Sequence, residues 1–263
     1  MPGKVHIVGA GPGSADLLTL RAASLLRSAG VVLHDDLVAP EVLALCPPSA
    51  EIVNVGKRCG RHSRTQEQIN ALMVWHATAC KSGSVIRLKS GDPAVFGRLG
   101  EELDALRRAG IAFEIVPGIT AAAAAAASAE ITLTDRRAAS ALVVLTAHNS
   151  RNESMQKTIF DPAHATYAIY MPGPDYSRTA RELLESGLAP ETPCALVSNA
   201  GRGNEQAFYL TLGALVSARA VPPPALLIVG EVARERSRQE ADTAQIFSEI
   251  PEQADISRRP VAP

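Results

Sequence analysis

The sequence predicts an α/β protein of two units, the first built on a largely parallel sheet and the second on a mixed one. Three observations carry that prediction. Through the first half, runs of consecutive apolar residues alternate with stretches of helical periodicity, the pattern of parallel strands covered by helices on both faces. Hydrophobic residues make up 46% of the chain but aromatics only 4%, so the core is built from Ala, Val, Leu and Ile, the material of helix-and-sheet layers. A length of 263 residues suits one or two domains at ~150 residues each.

The first apolar run, Val5 to Val8, ends in Gly9-Ala10-Gly11-Pro12-Gly13. A helix follows in which Leu18, Ala22, Leu25, Leu26 and Ala29 recur, with Asp16 as its N-cap and Gly30 as its stop. The rhythm continues with strands at Val31 to His34 and Ile52 to Val55, a helix over Thr65 to Lys81 and a strand at Val85 to Leu88. A helix over Gly97 to Ala109 and a strand at Phe113 to Val116 complete it. The run Ala121 to Ala127 reads as a tightly packed helix, because alanine is the best helix former and lets neighbouring backbones approach. A boundary is expected within Glu130 to Ala139, dividing residues 1–133 from 134–233. Beyond it lie strands at Ala141 to Leu145, Tyr167 to Tyr170, Cys194 to Val197, Gln206 to Leu210 and Leu226 to Val229, with helices near Ser177 to Ser186 and Leu212 to Ala218. The third and fourth of these strands, joined by the turn-rich Asn199 to Asn204, read as a hairpin, which makes the second sheet mixed. Residues 234–263 are charged and poor in apolar side chains, so a mobile tail is expected there.

Charge and composition narrow the function. Lys and Arg total 26 against 27 Asp and Glu, a net charge of −1, which argues against a nucleic-acid partner. No apolar run reaches the ~18 residues of a membrane span, and Lys4 leads straight into the first strand without a signal-peptide core, so a cytoplasmic protein is expected. Cys46, Cys59, Cys80 and Cys194 form no C-x-x-C pair, and neither a metal site nor a disulfide framework is expected.

Two segments invite chemistry. The glycine loop after the first strand looks like a dinucleotide-binding turn, but that fingerprint needs Gly where Ser14 stands, and Pro12 lacks the N–H that a pyrophosphate would use. An NAD-dependent oxidoreductase is disfavoured accordingly. The turn Ser90-Gly91-Asp92-Pro93 falls at the C-terminal end of a strand, where open α/β sheets bind ligands. A carboxylate with small neighbours can approach a ribose or a cationic centre, and Arg98 and Glu101 follow at i, i+3 spacing. Taken alone, these residues equally suit a helix-capping Asp and a surface ion pair.

Several motifs taken together resemble the uroporphyrinogen-III C-methyltransferases of the tetrapyrrole methylase family. They are Val8 to Gly13, His34-Asp35-Asp36-Leu37-Val38, Val55-Gly56-Lys57-Arg58-Cys59-Gly60-Arg61-His62, the Ser-Gly-Asp-Pro turn, Val116-Pro117-Gly118-Ile119-Thr120, Tyr170-Met171-Pro172-Gly173 and Pro224 to Val232, in matching order and spacing over about residues 4–233. The resemblance implies two α/β domains with S-adenosylmethionine in the cleft between them, a homodimer, and S-adenosylhomocysteine as the product of the cofactor. It implies methylation of uroporphyrinogen III at two ring carbons to give precorrin-2, for siroheme, cobalamin or haem d1. The cofactor pocket would comprise Pro12, Ser90, Gly91, Asp92, Val95, Thr120, Ala121, Met171 and Ala200, with Ala225 on a further matched segment. Asp35 and Lys57 match positions assigned to proton transfer, while Arg98, Glu101 and Arg136 match residues that hold or activate the tetrapyrrole.

The residues themselves suit such a substrate. A polycarboxylate bound to a chain of net charge −1 requires local positive charge, and Lys57, Arg58, Arg61, His62 and Arg64 supply it within one segment. Without the resemblance, a solvated surface cluster explains them as well. The chain departs from the family pattern at Asp36, Ser90, Ala94, Leu99, Glu130 and Asp135. If Ser90 has a positive φ, its replacement by Gly should relieve strain. A methyltransferase acting on a later corrin intermediate is the alternative within the class, and a non-catalytic tetrapyrrole-binding protein the alternative outside it.

Overall fold

The computed structural model describes residues 3–56, 64–79, 84–147, 164–234 and 236. Five parallel strands form the first sheet: β1 (Lys4–Gly9), β2 (Val31–His34), β3 (Glu51–Asn54), β4 (Ser84–Lys89) and β5 (Phe113–Val116), in the order β3-β2-β4-β1-β5. Helix α1 (Leu20–Arg27) and the short α2 (Pro40–Leu43) cover one face, burying Leu26 and Val42 against Val8, Val32, Ile86 and Leu88. Helices α3 (Gln66–Ala79) and α4 (Leu99–Arg108) cover the other, with Met73 and Leu106 against Val5, Ile7, Leu33 and Val85. Burial on both faces is why β1, β2 and β4 read as largely apolar runs, broken by His6 and Arg87, whereas the edge strands β3 and β5 stay partly exposed. A fully buried side chain such as Leu26 contributes roughly 1.5–3 kcal/mol, and truncating it to Ala costs about 2–5 kcal/mol.

The second sheet holds β6 (Ala141–Thr146), β7 (Ala165–Tyr170), β8 (Pro193–Ser198), β9 (Gln206–Thr211) and β10 (Ala225–Val229), in the order β6-β7-β10-β8-β9. β6 and β7 are parallel and the remaining neighbours antiparallel, including the expected β8–β9 hairpin. Helices α6 (Ser177–Glu185) and α7 (Leu212–Leu215) cover one face, where Leu183 and Leu215 pack with Tyr167, Ile169, Leu196 and Leu227. The alanine run forms α5 (Ala121–Ser128), which packs Ala122, Ala125 and Ala126 against Ala168, Ala195, Val197 and Ile228 of this second sheet. Small side chains on both surfaces bring helix and sheet close together.

The start of α1 differs from expectation. Asp16 lies in a separate single turn of 3-10 helix, and Thr19 is the N-cap, its hydroxyl accepting from Ala22 N at 3.1 Å. Gly30 is not in the left-handed region; the helix ends at Ser28, whose N–H turns back to the Leu25 and Leu26 carbonyls. Among the described residues no helix is long and apolar enough to cross a membrane. The tail beyond 236 lies outside the described residues.

Candidate functional site

The connections leaving β1 and β4, neighbours at the centre of the first sheet, run to opposite sides of it. Their C-terminal ends therefore open a crevice, the usual ligand position in such sheets. The second sheet closes it. Ser14 N donates to Gly201 O at 2.7 Å, the Tyr170 hydroxyl pairs with Thr120 Oγ1, and Ala122 N donates to that same hydroxyl at 3.0 Å. The result is a cleft of about 400 Å³ lined from both sheets.

Three backbone loops meet at the base of the cleft. A Cβ on Gly9 would lie 2.6 Å from Gly118 Cα and 2.8 Å from Gly91 O, so main chain touches main chain and no side chain fits between. The amides of the first glycine loop are already spent: Ala10 N donates to Lys89 O at 2.7 Å, Gly11 N to Gly91 O at 3.2 Å, and Gly91 N returns to Gly11 O at 2.7 Å. With these amides paired and Pro12 contributing no donor, the loop offers a pyrophosphate few donors, which is the structural reason that a dinucleotide fits poorly.

Every residue that the resemblance assigns to the cofactor lines this cleft: Pro12, Ser90, Gly91, Asp92, Val95, Thr120, Ala121, Met171, Ala200 and Ala225. The lining suits a compact sulfonium-bearing nucleoside, being mostly apolar. Two of its polar atoms are buried without a hydrogen-bond partner, Ser90 Oγ and Arg202 Nε, and of these Ser90 Oγ can both donate and accept. Ser90 is not in the left-handed region, contrary to the premise of strain there; the positive φ, +67°, belongs to Gly91. Asp92 fixes the junction from within, its Oδ2 accepting from Gly118 N at 3.0 Å and its Oδ1 from Ala94 N at 2.8 Å.

Asp35 and Arg98 also line the cleft. Glu101 does not, but it grips Arg98 through Nε and Nη2, both at 2.7 Å, and these hydrogen bonds raise the guanidinium pKa. Arg98 stands at φ 54° at the start of α4 and Phe96 at φ 50°, so the turn after Pro93 holds two non-glycine residues in a costly conformation that aims both at the cleft. Arg136 is exposed and away from the cleft. Asp135, one of the departures from the family pattern, is paired locally with Arg137, whose hydrogen bonds hold that carboxyl at about 2. Lys57, Arg58, Arg61 and His62 lie outside the described residues.

A buried charge cluster was missed by sequence reasoning. Arg87 and Lys89, 2% and 3% exposed, project from the same face of β4 toward Glu102 on α4, which is 0% exposed. Glu102 Oε1 accepts from Arg87 Nε and from Lys89 Nζ, each at 2.9 Å. Arg87 Nη2 continues to Asp35 Oδ1 at 2.5 Å, so the cluster fixes the carboxylate that faces the cleft. Burial opposes the Arg87 charge, yet Asp35 and Glu102 outweigh it and its pKa rises; for Lys89 burial and then Arg87 prevail, and its pKa falls. The available signal was two cations at i, i+2 in a central strand with an acid on the next helix.

Comparison with known proteins accords with this geometry. Residues 4–216 match the tetrapyrrole (corrin/porphyrin) methylases. A uroporphyrinogen-III C-methyltransferase of Paracoccus denitrificans is 45% identical over 88% of this chain and 82% of its own length. One from Pseudomonas aeruginosa is 42% identical over 89% of this chain and 96% of its own. Siroheme synthase 2 of Yersinia pestis is 44% identical over 88% of this chain, which spans 49% of that longer protein. The crystal structure of uroporphyrin-III C-methyl transferase from Thermus thermophilus complexed with S-adenyl homocysteine superposes with a TM-score of 0.77 at 38% identity, covering 89% of this chain and 100% of that one. Sequence and overall fold agree, and the chain belongs to the tetrapyrrole methylase family.

Proposed function

We propose that this protein is an S-adenosylmethionine-dependent methyltransferase that methylates uroporphyrinogen III at two ring carbons, giving precorrin-2 for siroheme, cobalamin or haem d1. The observation that carries this reading is the convergence, in one interdomain cleft, of every expected cofactor residue with Asp35 and Arg98 beside them. S-adenosylmethionine, when bound, supplies an electrophilic methyl group to an electron-rich ring carbon. The chain's own residues do the rest. The Gly9, Gly91 and Gly118 backbones form the base on which the donor is oriented, and the apolar walls at Val95, Ala121 and Ala225 exclude water. Ser90 Oγ is free to hydrogen-bond the ligand.

Asp35 accepts the proton released after methylation through Oδ2, which Arg87 does not engage and which has only a long 3.4 Å hydrogen bond from Ser90 N. Arg98, oriented by Glu101, meets a substrate carboxylate. Roles for Lys57 in proton transfer and for Arg58, Arg61, His62 and Arg136 in substrate binding rest on the resemblance. A homodimer belongs to the same reading, supported by Leu142 and Val144, each 39% exposed on the outer strand β6; light scattering tests it. So does a cytoplasmic protein without nucleic-acid or membrane partners, supported by the near-balanced charge.

The decisive experiment incubates the full chain with S-adenosylmethionine and enzymatically generated uroporphyrinogen III and follows product mass. A product two methyl groups heavier is expected, together with heat on titrating S-adenosylhomocysteine. Binding of the tetrapyrrole without any change in mass would favour a non-catalytic binder, and absence of heat would remove the cofactor assignment.

A further inference from the structure

Arg202 sits on the turn between β8 and β9, in the segment that packs against the first glycine loop: Ser14 N bonds to Gly201 O, and a Cβ on Gly13 would strike Arg202 Cγ at 2.5 Å. Its side chain crosses from the second sheet to the first. Nη2 donates to the Leu37 carbonyl at 2.5 Å, three positions after β2 and two after Asp35. Arg202 lines the cleft together with Pro12, Asp35, Leu37 and Arg98.

Its electrostatic situation differs from that of the other cations there. Arg87 is paired with Asp35 and Glu102, Lys89 with Glu102, and Arg98 with Glu101. Among the described residues Arg202 has no carboxylate partner, and its Nε is buried without any hydrogen-bond acceptor. A buried guanidinium N–H left unmade is costly, and a carbonyl oxygen answers none of its charge. The missing partner has to be an anionic acceptor with oxygens that fit a planar fork, which describes a carboxylate.

We propose that Arg202 is a ligand-binding residue that receives a carboxylate of the bound tetrapyrrole, pairing with it from the second domain while Arg98 holds another from the first. This rests on the tetrapyrrole reading above. The amino-acid tail of the cofactor carries the same chemistry, so the experiment separates the two sources.

Full-length Arg202→Gln retains an N–H for the Leu37 carbonyl and loses the charge; Arg202→Lys retains the charge and loses the fork. KM for uroporphyrinogen III is expected to rise about tenfold or more in Arg202→Gln and about threefold in Arg202→Lys, with kcat and the Kd for S-adenosylhomocysteine close to wild type. A raised Kd for S-adenosylhomocysteine with unchanged KM assigns the carboxylate to the cofactor. Wild-type values of both in Arg202→Gln overturn the proposal and leave Arg202 as a latch between domains. Should Arg202→Gln fail to fold, as read by circular dichroism, Arg202→Lys decides alone, and an unchanged KM and Kd there overturn it. Binding of uroporphyrin III, the oxidised macrocycle with the same carboxylates, is followed by fluorescence in parallel. If the wild type makes no methylated product yet binds the porphyrin, the activity reading fails while Arg202 is still tested by the loss of porphyrin affinity in the variant. No porphyrin binding by the wild type overturns both.

Discussion

Glu102 Oε1 receives both Arg87 and Lys89, and none of the three residues is more than 3% exposed. Truncating this acid leaves two buried cations with fewer partners than charges. Glu102→Ala is therefore expected to destabilise the protein by roughly 3–5 kcal/mol in urea unfolding, against about 1 kcal/mol for an ordinary surface acid. Asp35, at the exposed end of the same chain of bonds, answers a different question. Asp35→Asn keeps an acceptor for Arg87 but no longer takes a proton, so kcat should fall about 10²-fold or more with S-adenosylhomocysteine affinity intact. Unchanged turnover in a folded variant would remove Asp35 from the chemistry. The third residue is Ser90, whose hydroxyl is buried and unpartnered. Removing such a group costs the free protein nothing, so Ser90→Ala should unfold at the same or a slightly higher temperature while binding S-adenosylhomocysteine about five- to tenfold more weakly. Equal affinity would show that the hydroxyl faces no ligand.

Where the loops after β1, β4 and β5 converge, a single methyl group has nowhere to go. Gly118→Ala places a Cβ against Gly91 O and 2.9 Å from Gly9 Cα, all main-chain atoms that cannot rotate aside. The expected cost is about 1–3 kcal/mol in thermal unfolding, with S-adenosylhomocysteine binding reduced further because the base of the cleft must shift; a variant with wild-type Tm and affinity would contradict that close approach. At this scale the sequence was most informative. Val31 to His34 and Phe113 to Val116 were legible to the residue, the first because three of its four residues are buried inside the sheet, the second because Phe113, Ile115 and Val116 outweigh the single Glu114 on an edge strand. Helix α2 was missed, since four residues give no period to read. Asp16 was taken as a cap because its type is right, whereas Thr19 holds the position next to the helix. That α5 packs on the sheet following it, not the one preceding it, is decided by contacts distant in sequence. The site divided likewise. Turns with a known ligand-facing place in the fold were legible, but Arg87, Lys89 and Glu102 were invisible because a charged residue in a strand ordinarily marks exposure, and only the counter-charge on α4 reverses that. Arg202 reaches the cleft from another domain, and no local pattern announces it.

The molecule as a whole should lose stability on the acid side in two stages. Hydrogen bonds from Lys4 and Arg21 hold the Glu114 carboxyl at about 2 instead of 4.5, and those from Arg137 hold Asp135 at about 2 instead of 3.8. Both folded values are depressed, so this stabilisation is present above the unfolded values and is lost as pH falls through the folded ones. His6, facing Glu114, Lys4 and Arg21, is lowered below 6.5 by burial, with Glu114 acting in the opposite sense. Its unfolded form takes up a proton first, so stability starts to decline near pH 6.5. Tm measured against pH should therefore fall gently below 6.5 and more steeply below 4.5, with His6→Gln flattening the first stage and Glu114→Gln the second. Added salt should shrink the lower stage, since its carboxylates are only partly buried and their cationic partners Lys4, Arg21 and Arg137 are exposed. A flat profile down to about pH 2 would contradict these assignments. The meeting of Gly9, Gly91 and Gly118 has a consequence of another kind. A wall made of main chain presents heredity with nothing to edit: every coding change there adds bulk, and none adjusts a contact. Variation that keeps the fold must then accumulate at the rim, at positions such as Phe96, Arg98 and Arg202, so that one unalterable seat for the methyl donor can serve successive lineages while the choice of acceptor drifts around it.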